Sequence, residues 1–400
     1  MHTFVSLLAV LALLWSPVAL APVAGPPAAA PATPAVPGCG WVWSTMATQS
    51  PGAEYNSLTD IRVGAEGDIW AVGSTRDSGA AMATLIEHYD GSNWTVVPSP
   101  NVGTDDNRLY AVAPISATSV WAVGSYLDDG GTLAEHYDGV DWEVVPTPGL
   151  GDPGEAWLNG VDAVSETDVW AVGAYYSGTH DVTLIEHYDG NAWTIVPSPS
   201  PGTSANNLAD VVAATATDAW AVGSQSGPDG LRPLVLRYNG TGWSEVSIPD
   251  PGMYGALNAV AMVSATDVWA VGIQGVAPSA LTTLTMHYNG SVWSIVPSPN
   301  PSADTVYLVE VTAVAANEVL AVGYSRTAGD PQPLVERWDG SNWSIVDTGL
   351  QLLGTLRGVT HDAGGGIYAA GSLGAASEET LVVRAMPDCF RTYLPVALWY

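Results

Sequence analysis

Short apolar runs rich in Val, Ala and Ile alternate along this chain with clusters of Gly, Asp, Asn, Ser and Pro. The alternation itself repeats. Trp70-Ala71-Val72-Gly73 returns as Trp121-Ala122-Val123-Gly124, Trp170-Ala171-Val172-Gly173, Trp220-Ala221-Val222-Gly223 and Trp269-Ala270-Val271-Gly272. It weakens to Leu320-Ala321-Val322-Gly323 and Tyr368-Ala369-Ala370-Gly371. Successive copies lie about 50 residues apart, a period at which each unit carries several short strands.

Each unit predicts four strands. The first opens on Leu58, with counterparts at Leu109, Leu158, Leu208, Leu257, Leu308 and Leu356. Its small residues suit an innermost strand crowded about an axis. The second is the WAVG run. The third is LIEHYD (85–90) and its relatives. The fourth opens on Trp94, Trp142, Trp193, Trp243, Trp293 or Trp343 and, in all but the last of these, ends in proline. A missing N–H costs little on such an outer edge. Asp90-Gly91 and its copies Asp138-Gly139, Asp189-Gly190, Asn239-Gly240, Asn289-Gly290 and Asp339-Gly340 predict the hairpin turn, both residues being tolerant of positive φ. The expected fold is all-β: a seven-bladed β-propeller of four-stranded antiparallel blades. The blades cover about 58–100, 109–148, 158–199, 208–249, 257–299, 308–347 and 356–386. Tryptophans repeated once per blade are expected between blades; burying one removes ~150–250 Å² from water, a gross gain of ~4–6 kcal/mol.

The seventh unit stops after three strands. Residues 41–51 read like the missing fourth, with Trp43 in the place of Trp293 or Trp343. The N-terminal strand is therefore expected to complete the last blade and remove the open edges. Cys39 lies just before this strand and Cys389 just after the third strand of blade seven, so a Cys39–Cys389 disulfide is expected. In the chain-entropy model so long a loop contributes roughly 5 kcal/mol. The propeller domain is thus 38–389.

Composition adds an address. Residues 1–21 read as a signal peptide, apolar over 4–21 with Ala19-Leu20-Ala21 as a small-residue cleavage site. Residues 22–37 form a Pro/Ala-rich linker, and 390–400 a C-terminal tail. No other segment is apolar and long enough to span a membrane. The chain is expected to be secreted or held at the cell surface, and monomeric. Its formal net charge is −30, and its ten basic residues are all Arg. Such a surface repels nucleic acid and anionic lipid and attracts cations or basic partners.

The order WAVG, variable loop, EHYDG, Asn-Trp and a final strand resembles kelch-type propeller repeats. Those carry a Gly pair after the second strand, whereas here Gly124 or Gly173 follows Val. Asp90 to Trp94 also resembles the Asp-box of sialidase-like propellers, without its residue between Asp and Gly. The tail from Arg391 resembles short C-terminal tails of some secreted bacterial proteins.

The third strand carries His88, His136, His187, Arg237, His287, Arg337 and Arg384 at one position, with Glu87, Glu135, Glu186 and Glu336 before four of them. These positions lie too far from the axis to converge on one ion, since ligands must meet at about 2 Å. A polar contact to the neighbouring turn is expected instead. Two connections per unit are short and alike, and they share one rim. The other two vary and share the opposite rim, which is the candidate face. Around its axial mouth the candidate ligand-binding residues are Tyr55, Arg108, Trp157, Tyr254 and Tyr307, with Asn207 beside them and Tyr175 and Tyr176 on a loop. No metal or other cofactor is expected, although Asp105, Asp106, Asp128 and Asp129 have the chemistry to take Ca²⁺. The expected role is non-catalytic binding of a glycan or an extracellular protein through this rim. The alternatives are a propeller-type glycoside hydrolase or lyase, using Glu155 or Asp106 with a second carboxylate, and a purely structural surface protein.

The mature protein should gain the mass of one hydrogen pair on reduction, read by intact mass spectrometry; a lipid adduct on Cys39 would defeat the disulfide.

Overall fold

The computed structural model describes residues 41–64, 67–150, 155–228, 230–277, 280–374 and 379–387. The signal peptide, the linker, both cysteines and the tail lie outside the described residues.

Seven four-stranded antiparallel units follow one another along the chain. Blade one comprises Tyr55–Val63, Ile69–Arg76, Ala83–Tyr89 and Trp94–Val97, in that order from the inside outwards. The other innermost strands are Asn107–Ser116, Ala156–Ser165, Ala205–Thr215, Tyr254–Ser264, Thr305–Ala315 and Gly354–His361. Each touches the next, and the last touches the first, so the ring closes. These strands open ahead of the expected leucines, because the second strand keeps pairing beyond its glycine: Tyr55 stands opposite Arg76 and Tyr254 opposite Gly275.

The N-terminal strand Trp41–Met46 supplies the outer strand of blade seven, beside Glu379–Pro387. Trp41 stands opposite Pro387 and Met46 opposite Val382. Trp43 is buried and packs in one cluster with Leu320 of blade six. The closure removes two edges that would otherwise be open to another chain.

Each innermost strand slips register just after its leucine, as between Leu58 and Asp60 or Leu158 and Gly160. Beside the slip the two backbones nearly touch. A Cβ on Gly73 would lie 1.9 Å from the Ser57 carbonyl oxygen, and one on Gly173 1.9 Å from that of Trp157. The same carbonyl contact meets the WAVG-type glycine of every blade. This glycine recurs for steric reasons.

The second-strand Trp reaches across to the next blade. Trp70 lies 5.1 Å from Tyr137 and 5.5 Å from Trp142, ring to ring. Trp121 meets Tyr188 and Trp193, Trp170 meets Tyr238 and Trp243, Trp220 meets Tyr288 and Trp293, and Trp269 meets Trp338 and Trp343. The third-strand His or Arg covers the other side of the ring, as His88 does on Trp70 at 4.2 Å. Its polar end turns to the start of the second strand. His187 lies 2.8 Å from Asp168, His287 2.8 Å from Asp267, and Arg237 2.8 Å from Asp218. The imidazoles thus brace an acid, a Trp and the next blade, and they do not face a common ion.

The Asp-Gly turns differ from expectation in one respect. Gly91, Gly139, Gly190, Gly240, Gly290 and Gly340 all have positive φ, but none of the Asp or Asn partners does. Those side chains act instead by accepting hydrogen bonds: Asp90 Oδ1 takes the N–H groups of Ser92 and Asn93, each at 2.8 Å.

Gly173→Ala should destabilise the protein by about 1–3 kcal/mol, the usual effect of forcing a carbon into packed surroundings. Gly149→Ala, where a Cβ would have no neighbour within 4 Å, should not. Urea unfolding of the two variants checks this.

Candidate functional site

The innermost strand of a blade pairs along its length on one side only, apart from single parallel contacts at Ala205 and Tyr254. Its other backbone edge needs partners, since buried N–H and C=O groups are rarely left unpaired. Side chains of the preceding blade provide them. Thr59 donates to the Leu109 carbonyl at 2.8 Å, Asn159 to Leu208 at 2.8 Å and Asn258 to Leu308 at 2.7 Å. Asp60 accepts the Val112 N–H at 3.0 Å, Asp162 that of Ala213 at 2.7 Å and Asp210 that of Val260 at 2.8 Å. These bonds draw carboxylates inward, and Glu310 follows at the same register in blade six.

Arg62 answers that charge. Its guanidinium lies 2.6 Å from Asp60 and 3.5 Å from Glu310, and it also reaches the Ile61 and Val359 carbonyls. The contact joins blade one to blade six across blade seven, while Asp162 and Asp210 act on it from blades three and four. Arg62 therefore stands at the axis and plugs the channel. Burial works against its charge, but the four carboxylates outweigh it and raise the Arg62 pKa above its ordinary value. Burial pushes Asp210 up to about 7, against the opposing pull of Arg62 and two backbone N–H groups. Glu310 is raised well above the usual carboxylate range and Asp162 is raised, in both cases chiefly by burial. A cavity of about 210 Å³ lies beside the plug on the short-turn side, lined by Arg62, Val112, Pro114, Val161 and Asp162. None of these channel residues was expected from the sequence. A signal was present: charged residues two and four places after the opening leucine in some units, where the others carry Ala, Gly, Val or Thr.

The expected residues of the variable rim divide into three groups. Arg108, Trp157, Asn207 and Tyr307 occupy equivalent places just before the opening leucines, and each is partly exposed. Trp157 donates to Asn207 at 3.0 Å, and Asn159 joins the same oxygen at 2.9 Å. Tyr307 stacks on Tyr324 at 4.9 Å, with Arg326 over the latter ring. Arg108 is held by Asp106 at 2.7 Å. Tyr55 and Tyr254 begin their strands two residues further out and remain partly exposed. Tyr175 and Tyr176 belong to a strand, Asp168–Tyr176, not a loop, because the hairpin pairs as far as Tyr176 opposite Asp181. Tyr175 is partly buried, packed against the core between blades two and three, while Tyr176 is exposed.

The aspartates are engaged with backbone. Asp106 accepts the Met82 N–H at 2.9 Å, and Asp128 that of Thr104 at 2.5 Å. Asp105 is exposed, and the side chain of Asp129 lies outside the described residues. Among the described residues no group of three or more His, Cys, Asp or Glu could hold a metal ion.

Glu87, Glu135, Glu186 and Glu336 are completely buried, each facing a different blade. Burial raises Glu87 and Glu186 to about 7, against weak donors at Gln49 and Thr132. It raises Glu135 and Glu336 to about 8, with only Ser298 opposing it at Glu336. Being on separate interfaces, they form no acid–base pair.

Fold and site together define an all-β propeller of seven blades with a plugged axis and one variable rim. Among solved structures the chain is similar to YCF48 bound to D1 peptide (TM-score 0.54, 14% identity, covering 89% of this chain and 98% of that one). It is similar to the extracellular domain of a hybrid two-component system from B. thetaiotaomicron (TM-score 0.53, 13% identity, 86% of this chain and 39% of that one). An ulvan lyase of a polysaccharide lyase family, bound to an oligosaccharide of glucuronic acid and sulfated rhamnose, gives TM-score 0.51 and 10% identity over 87% of this chain and 100% of that one. At these identities the likeness is one of fold. No protein-family model and no curated protein matches the chain.

The buried glutamates set the pH dependence of stability. Each keeps its proton in the folded state at pH values where the unfolded chain, with the ordinary glutamate pKa of 4.5, has lost it. Stability is therefore full below that value and declines as pH rises towards about 7 to 8. Asp162, Asp210 and Glu310 act with the same sign. His136 and His361, lowered chiefly by burial, act oppositely as pH falls below the ordinary imidazole value of 6.5. Seven carboxyls against two imidazoles should make the melting temperature higher near about pH 5.5 than near about pH 8. Glu135→Gln should raise it at the upper pH and change it little at the lower. Scanning calorimetry of both proteins checks the sign.

Proposed function

We propose that this chain is a non-catalytic interaction propeller, secreted or displayed at the cell surface, whose partner is read by the variable rim. The observation that carries the reading is where exposed apolar groups lie. Leu127, Tyr176, Met253, Val276 and Leu353 are all between 38% and 78% exposed. Leu127, Met253, Val276 and Leu353 belong to the variable connections, and Tyr176 ends the strand that leads into one. The opposite rim carries fewer such residues, and its chemistry consists of repeated turns. A ring of exposed apolar side chains around a mouth of Arg108, Trp157 and Tyr307 suits a macromolecular partner better than bulk water.

Three features support binding over turnover. Asp106 is tied to Met82 and Arg108. Glu155 is exposed at the rim and has no second carboxylate within a described contact. The buried acids of the channel face Arg62 and backbone. The structural neighbours include a protein bound to a peptide, a sensor's extracellular domain and a polysaccharide lyase. They support a propeller that binds or acts on polymers, with a hydrolase or lyase as the second reading and a purely structural role as the third. The kelch-like subfamily, the leader at 1–21 and the disulfide are part of the same proposal.

Trp157→Ala and Tyr307→Ala should each weaken binding at least about ten-fold on glycan and peptide arrays, the effect of removing an aromatic anchor. Unchanged binding in both would remove the mouth from the reading. Glycoside turnover abolished by Glu155→Gln would favour the second reading.

A further inference from the structure

In a chain of formal net charge −30, every arginine has acids to choose from. Six of the described arginines are ion-paired: Arg62, Arg76, Arg108, Arg232, Arg237 and Arg337. Arg326 and Arg384 lie over tyrosine rings. Arg357 has neither an acid nor a ring beside it among the described residues. Its Nε is buried without a hydrogen-bond partner, as are those of Arg76, Arg108 and Arg384, but those three have an acid or a ring beside them.

Its place in the fold gives this a meaning. Arg357 follows Leu356 at the register slip of the last innermost strand. The same position holds Thr59, Tyr110, Asn159, Ala209, Asn258 and Val309 in the other blades, so Arg357 is the one charge in its layer. The layer towards the variable rim holds Arg108, Trp157, Asn207 and Tyr307. The layer beneath holds Asp60, Asp210 and Glu310, and the cation acting on Asp210 and Glu310 is Arg62. Arg357 is thus a partly buried cation that the floor does not use, in the layer between that floor and the one holding Arg108, Trp157, Asn207 and Tyr307.

We propose that the axial mouth receives the terminal carboxylate of an extended, neutral-to-basic protein segment, with Arg357 as the carboxylate-binding residue. The inference rests on the reading of the variable rim as the binding face. A guanidinium matches a carboxylate through two parallel N–H···O bonds, and in this half-buried layer water competes weakly for it. Entry is limited to a chain end, because Arg62 bridges blades one and six and blocks a threaded chain. The protein's charge selects the kind of chain. A polyanionic glycan is repelled along its length, while a basic segment is drawn in and presents one carboxylate to one arginine. The apolar rim residues Leu127, Met253, Val276 and Leu353 then cover the body that carries the segment.

The probes are short neutral and basic peptides with a free C-terminus, the same sequences amidated, and glucuronate oligosaccharides, each tested against the full chain by fluorescence anisotropy. Free-carboxylate peptides should bind, and amidation should weaken them at least about ten-fold, as loss of one charge-assisted pair does. Arg357→Gln should lose the same factor and the preference for a free terminus together, and Arg357→Lys should recover part of both. Peptides that bind equally well when amidated would overturn this inference and leave the rim reading standing. Preference for the uronate oligosaccharides would overturn the peptide occupant, and binding of no probe would overturn both readings. Should Arg357→Gln fail to fold by circular dichroism, the amidation comparison on the wild-type protein decides alone.

Discussion

The innermost strand of each blade has one backbone edge that no strand covers along its length. Everything near the axis follows from satisfying it. A polar side chain from the preceding blade reaches the edge, as Thr59 reaches Leu109 and Asp210 reaches Val260. Carboxylates serve well, since each oxygen accepts a separate N–H. They also gather negative charge in a narrow, dry space. Arg62 is the compensation, and by meeting Asp60 and Glu310 together it shuts the channel. A purely local hydrogen-bonding requirement thereby fills the axis with paired charge.

Further out, the problem is apolar and the solution is uniform. The second-strand Trp of one blade lies against the Tyr or Trp of the next, with an imidazole or guanidinium on its other side. Because the same contact recurs, one residue set recurs. This is why blades, strand order, closure by residues 41–46 and the packing role of the tryptophans could be read from the chain. The reading failed where a side chain acts other than through its own backbone. Asp90 was expected to contribute a permissive φ and instead accepts N–H bonds. Tyr175 was placed on a loop and lies on a strand, partly buried against the core, because hairpin pairing continued past the point where the repeat stopped resembling itself.

The axial cluster was missed for a different reason. Repeat analysis weights what the units share, and Asp60, Arg62, Asp162, Asp210 and Glu310 are departures from the repeat. Each looks like an isolated substitution in a short strand. They become a set only when the ring is closed and positions far apart in sequence share an axis. Arg108, Trp157 and Tyr307 stand out in the sequence because they fall beside the repeating leucine, and all three are partly exposed.

Departure from the repeat is therefore the more informative signal in a closed ring of similar units. A residue present in every blade answers a demand that every blade makes, so it reports on packing. Ligands approach the axis once and break the sevenfold likeness, so groups that meet them need not recur. By this measure His88 and its counterparts are structural however suggestive a ring of imidazoles looks. Arg62 is singular and fully used by its carboxylates. Arg357 is singular and unpaired among the described residues, and that combination sets it apart from every other described cation in the chain.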